Sequence, residues 1–209
     1  MARRSDHTRD ELHDLALDAA RKITEKDGLR GLKARQIVRD IGYTIGTLYN
    51  LFDDLDDLIL QMNCETLDAL YEVCSSAPLN KDPEQNLRAL ASRYLQFTRA
   101  HPNLWNAIFE YKLPGDREMP AWYSDRVVRL LLLEEKALAP LFPKGQETQC
   151  QHHAQVLWTS LFGMASVESA NRLPEGESAE SLVESLIEIY VTGLRQKAGV
   201  PAGIVREKF

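Results

Sequence analysis

The stretch from Asp27 to Phe52, DGLRGLKARQIVRDIGYTIGTLYNLF, decides the fold. Its apolar positions Ile37, Val38 and Ile41 share one face of a short helix predicted over residues 34–41. Gly42 ends that helix, because glycine enters the left-handed backbone region without steric penalty. Thr44 suits the N-cap of a second short helix over residues 45–51, from which Leu48 and Phe52 return apolar contacts. Thr44, Ile45, Thr47, Tyr49 and Asn50 are left facing outward. That is the logic of a helix-turn-helix, in which a helix N-terminus and small polar side chains enter a major groove.

The residues that follow pull the other way. Asp53, Asp54, Asp56 and Asp57 arrive with no lysine or arginine between residues 41 and 60, and carboxylates repel phosphate. In the first turn of a helix, however, carboxylates cap free N–H groups and meet the positive end of the dipole. Asp53 or Asp54 is therefore expected to start a long helix over residues 54–74.

Helical periodicity extends in both directions from this point. Upstream, Leu12, Leu15, Ala16, Ala19, Ala20 and Ile23 keep a 3.6-residue spacing that stops at Asp27-Gly28. Downstream, SSAPLNKDP breaks the chain, and Pro83 fits the first turn of the next helix. A short aromatic helix lies between Pro102 and Pro114, another helix ends near Pro140, and two more span about 146–171 and 179–196, the last with Ser178 as its cap. No strand alternation occurs. The expected fold is all-α: a three-helix DNA-binding domain over residues 1–53, a larger helical domain over 54–198, and a flexible tail over 199–209.

Composition sets outer bounds. The 209 residues are 44% hydrophobic and 27% charged, enough to bury a core without covalent staples. The net charge of −6 argues against nonspecific nucleic-acid binding. Its distribution is uneven, because residues 1–40 hold ten Lys/Arg against eight Asp/Glu. No apolar run is long enough for a membrane span, and the arginines of MARRSDHTRDEL read as an arm rather than a signal peptide. Cys64, Cys74 and Cys150 have neither metal nor redox spacing, so reduced, buried thiols in a cytoplasmic protein are expected.

The approach AARKITEKDGLRGL, the turn DIGYTIG, the signature GTLYNLF and the apolar LDDLI after it resemble the tetracycline-repressor (TetR) family over roughly residues 8–60. The resemblance implies a homodimeric transcriptional regulator, most simply a repressor, that leaves a pseudo-palindromic operator when a small effector binds. By position it implies that Arg35 reaches a base or phosphate, that Tyr49 meets a phosphate, and that Thr44, Thr47 and Asn50 make recognition contacts. Threonine offers a methyl to thymine and asparagine pairs with adenine. Ile45 supplies apolar contact alone. Two departures stand out. Lys33-Ala34 replaces the usual Ser or Thr cap of the first short helix, and Leu55 replaces a lysine that reaches phosphate.

The resemblance further implies that residues 54–198 sense a ligand and dimerise. Aromatic-rich helices suit a mostly apolar effector pocket, with Phe97, Trp105, Phe109, Trp122 and Tyr123 as its candidate residues. Small residues beside bulky ones in LWTSLFGMAS, with the last helix, suggest a two-fold four-helix interface through Trp158, Leu161, Phe162, Gly163, Leu186, Ile189 and Tyr190.

Other chemistry has little to stand on. His152 and His153 point about 100° apart on a helix and do not chelate together. No phosphate loop, metalloprotease motif or nucleophile–base pair is visible, so neither an enzyme nor a cofactor is expected. Glu134-Glu135 and Asp56-Asp57 read as solvated faces. One alternative stays open: a helical interaction module whose acidic stretch has weakened or abolished DNA binding.

Overall fold

The structure, a computed structural model, describes residues 7–197. Arg3, Arg4 and the expected tail over 199–209 lie outside the described residues. Within them the chain forms α1 (Arg9–Asp27), α2 (Ala34–Ile41), α3 (Ile45–Tyr49), α4 (Leu55–Ser75), α5 (Pro83–Ala100), α6 (Pro102–Glu110), α7 (Ala121–Leu138), α8 (Glu147–Ser169) and α9 (Ala179–Lys197). Single 3-10 turns sit at Leu29–Gly31 and Ala139–Leu141. The all-α expectation holds, and no strand occurs among the described residues.

Helix ends follow from local chemistry. Thr8 caps α1 through a reciprocal box: its hydroxyl accepts from the Glu11 N–H at 3.2 Å, and the Glu11 carboxylate accepts from the Thr8 N–H at 2.7 Å. Pro83 opens α5 behind Asp82, whose carboxylate accepts from the Glu84 N–H at 3.0 Å. Ser178 caps α9 as expected, its hydroxyl accepting from the Ser181 N–H at 3.1 Å. Helix α3 is shorter than expected. It stops at Tyr49, with Asn50 as its C-cap.

The helices form two compact units, one of residues 7–69 with 101–126, the other of residues 70–100 with 127–197. In the first unit, Ala16, Ala20, Ile37, Leu48, Leu58 and Met62 anchor one buried apolar cluster. Helix α6 joins it through Ala107, and its start is tied to α1: the Asn103 amide donates to the Glu25 carbonyl at 2.8 Å.

In the second unit α5 packs on α8 and α9. Glu168 of α8 takes both Nε and Nη2 of Arg99 from α5, at 2.9 and 3.0 Å. It also accepts the Ala179 N–H at the start of α9, at 3.0 Å. Those hydrogen bonds, the Arg99 guanidinium's foremost, hold its carboxyl below the ordinary glutamate range. At the other end, Arg195 of α9 reaches Asp82 and Glu84, each at 3.2 Å. Arg88 bridges Glu84 and Glu184.

Candidate DNA-binding interface

The turn between α2 and α3 is built as the sequence suggests. Gly42 has φ 78°, and the Gly42 and Tyr43 N–H groups bond back to the Arg39 and Val38 carbonyls at 3.3 and 2.9 Å. This is the Schellman termination, and alanine at Gly42 would be strained there whatever the free space. Thr44 caps α3, its hydroxyl accepting from the Thr47 N–H at 3.3 Å and lying 3.1 Å from the Thr47 hydroxyl. Lys33 at the start of α2 makes no side-chain cap bond, as its residue type requires.

These contacts fix which side chains are presented. Arg35, Thr44, Ile45 and Asn50 are exposed, Tyr49 is 48% exposed, and Thr47 is half-buried. All belong to one compact unit, and Leu48 between them is buried in its core. Two nearby side chains brace the surface. His7 Nδ1 lies 3.0 Å from the Tyr43 hydroxyl, and Arg9 donates to the Asn50 carbonyl at 3.4 Å.

The acidic run is occupied rather than open. Asp54 is the cap of α4: its carboxylate accepts from the Asp57 N–H at 2.7 Å, while Asp57 accepts from the Asp53 N–H at 3.1 Å. The Asp57 backbone bond first, and Arg117 with it, hold the Asp54 carboxyl below its ordinary range. Arg117 Nη1 pairs with Asp54 at 3.0 Å and with Asp56 at 2.9 Å. Asp56 is thus half-buried in an ion pair, which corrects the reading of Asp56-Asp57 as a solvated face. Leu55 between them is partly buried against the apolar cluster, so its side chain packs inward. Nothing in the sequence pointed to Arg117, because a pairing over some sixty residues leaves no local periodicity.

The candidate pocket residues fall in both units. Trp105, Phe109, Trp122 and Tyr123 belong to the first and Phe97 to the second. Trp105 is 1% exposed and packs on Phe109 with ring centroids 5.1 Å apart. Tyr123 is also buried, which pushes its phenol up to about 12. Trp122 lines an open groove of about 380 Å³ beside Leu17, Cys64, Glu65 and Arg126.

Among the candidate interface residues, Leu161 is buried within the second unit. Trp158, Phe162, Gly163, Leu186 and Tyr190 are half-buried, and Ile189 is 73% exposed. A Cβ at Gly163 or Gly193 would meet nothing within 4 Å, so open space lies beside both glycines. His153 is engaged within the unit, its Nδ1 lying 2.6 Å from the Tyr190 hydroxyl.

A second correction concerns Glu134. Glu134 is not solvated: it is 6% exposed, and burial pushes its carboxyl up to about 8 against a hydrogen bond from the Trp158 backbone. The signal was present. Leu130, Leu133, Ala137, Leu138 and Leu141 mark an apolar stripe, and Glu134 stands on it.

Two short helices joined by a Schellman turn, the second capped by Thr44 and both presenting side chains from one packed apolar core, define a helix-turn-helix DNA-binding protein. The chain belongs to the tetracycline-repressor family. Residues 16–62 match the model for bacterial regulatory proteins of the tetR family, and residues 87–190 match the tetracyclin repressor-like C-terminal domain.

Solved structures share the fold. A protein of unknown function from Rhodococcus sp. RHA1 is 19% identical with a TM-score of 0.73, covering 92% of this chain and 98% of its own. The regulatory protein SCO4313 is 18% identical with a TM-score of 0.72, covering 92% of this chain and 100% of its own. The transcriptional regulator SCO7222, a TetR from Streptomyces coelicolor, is 15% identical with a TM-score of 0.63, covering 91% and 99%. No curated protein matches the sequence. The chain is a DNA-binding transcriptional regulator and not an enzyme. No described helix is long and apolar enough to cross a membrane.

Proposed function

We propose that the chain is a cytoplasmic, ligand-responsive repressor that binds a pseudo-palindromic operator as a homodimer and is released by a small, mostly apolar effector. The reading divides function at residue 53: residues 1–53 contact DNA, and residues 54–198 sense and dimerise. The observation that carries it is the outward face of α3 and its flanks, where Thr44, Ile45, Thr47, Tyr49 and Asn50 lie, together with the exposed Arg35 of α2. Two such helices on a two-fold axis enter successive major grooves about 34–36 Å apart, or a multiple of that. Helices α8 and α9 offer the dimer surface, with Gly163, Gly193 and the exposed Ile189 permitting close approach. An effector acts only through its differential affinity for the releasing conformer.

The interaction-module alternative rested on the acidic run. Asp54 and Asp56 share Arg117, and Asp54 and Asp57 serve the start of α4, which removes most of that argument. The test is a genomic footprint of the purified protein, followed by binding titrations over salt. Roughly two to four phosphate contacts per half-site, at about 0.9 in log–log slope each, are expected. Binding without sequence preference at any salt concentration would return the interaction module to first place.

A further inference from the structure

Five helices converge on one carboxyl in the second unit. Glu134 of α7 lines two small apolar cavities, of about 10 and 20 Å³, that also share Leu90 of α5 and Leu161 of α8 in their linings. The first is completed by Cys74 of α4, Tyr94 and Trp158. The second is completed by Leu157 and by Val183, Leu186 and Ile187 of α9. Glu134 Oε2 is buried and has no hydrogen-bond partner. A buried oxygen without a partner is costly, and an empty space beside it admits a group that would satisfy it.

The lining selects the chemistry of that group. No lysine or arginine lines either cavity, so an anionic head would meet Glu134 uncompensated. Tyr94 and Trp158 stand edge to face with centroids 5.4 Å apart, and aromatic faces beside a carboxylate favour a cation. We propose that the two cavities around Glu134 form a binding site for a small lipophilic amine, whose ammonium pairs with Glu134 while its apolar body displaces Leu90 and Leu161, the side chains that line both. This rests on the apolar-effector reading and narrows it to one head group.

Binding carries a proton with it. Among the other side chains lining the cavities, Cys74 has its thiol pushed up by burial to about 12 and supplies no charge near neutral pH. Glu134 with its carboxyl at about 8 is mostly neutral at pH 7, so an arriving ammonium ionises it and its proton passes to the buffer.

The test uses three probes of one chain length, hexylamine, 1-hexanol and hexanoate, titrated calorimetrically into the native protein and into Glu134→Gln. Hexylamine is expected to bind the native chain at least tenfold tighter than 1-hexanol, and hexanoate not to bind. Its heat should vary with the buffer's ionisation enthalpy in the native chain alone. Glu134→Gln, confirmed folded by its thermal melt, should lower hexylamine to the level of 1-hexanol and leave 1-hexanol unchanged. Equal binding of hexylamine and 1-hexanol, or an amine preference that survives Glu134→Gln, overturns the amine assignment and leaves the apolar effector standing. Absence of binding by all three overturns the site itself, and operator release by apolar compounds then decides the effector reading separately.

Discussion

Glu134→Gln keeps the shape of the side chain and one carbonyl oxygen while removing the group that titrates. Burial raises the native carboxyl from 4.5 to about 8, so between those values the folded chain holds a proton that the unfolded chain has released. The stability this group contributes is therefore full below about pH 4.5, falls as pH rises through the window, and levels off above about pH 8. At about 1.4 kcal/mol per pKa unit, the loss between pH 5 and pH 8 comes to about 3–4 kcal/mol. For a chain of this size that is roughly 10 °C in melting temperature.

His153 works in the opposite sense, because burial first and His152 second lower its pKa, but it is present in both proteins. The informative quantity is thus the difference between native chain and variant. Thermal melts from pH 5 to pH 8 should show Glu134→Gln gaining on the native chain by that margin as pH rises. A difference that stays constant across the range would mean the carboxyl is not buried and neutral, and the reasoning fails.

Alanine at Thr47 or Asn50 should relax base preference at one operator position by about 1–3 kcal/mol, read by binding to a set of single-site operator variants. Arg35→Ala should weaken binding in the same titration. Arg117→Ala leaves Asp54 and Asp56 without their shared partner. Because these side chains are half-exposed and screened by solvent, operator affinity should fall by only about 0.2–1 kcal/mol in low salt with base preference unchanged. Gly163→Arg should give a monomer that no longer binds DNA, and an intact dimer on sedimentation would remove α8 from the interface. Trp105→Ala should destabilise the fold by about 3–5 kcal/mol in denaturant unfolding, while Phe109→Ala, at a more exposed ring, should change it far less.

The parts of the fold that were legible are those written in local pattern. The face of Ile37, Val38 and Ile41, the stop at Gly42 and the Thr44 cap are near-neighbour events, and each stands where the spacing put it. The capping box of Thr8 and Glu11 was equally local and is plain in hindsight. Arg117 was not legible, because an ion pair between a loop and a distant helix start depends on tertiary packing alone. Glu134 was misread for a different reason: a charged residue type was given more weight than its place on an apolar stripe. The aromatic candidates were chosen by residue type, which does not distinguish the buried Trp105 from the half-exposed Trp122. Leu161 stands among small and bulky neighbours in the sequence, yet its side chain is buried within the second unit.

Cys64, Cys74 and Cys150 are all buried and unbridged, and burial raises each thiol, to about 11 for Cys64 and about 12 for Cys74. The thiolate is the reactive form, so the native chain is nearly silent to thiol-directed reagents. A single exposed cysteine is then the only site that labels quickly. Lys33→Cys provides one at the start of α2, where the side chain makes no cap bond. In a homodimer that one substitution places two spin labels, one beside each reading head, without disturbing the recognition residues. On the proposed mechanism, the distance between the labels becomes a ruler for the operator-competent and released states, read in solution from a protein otherwise left as it is.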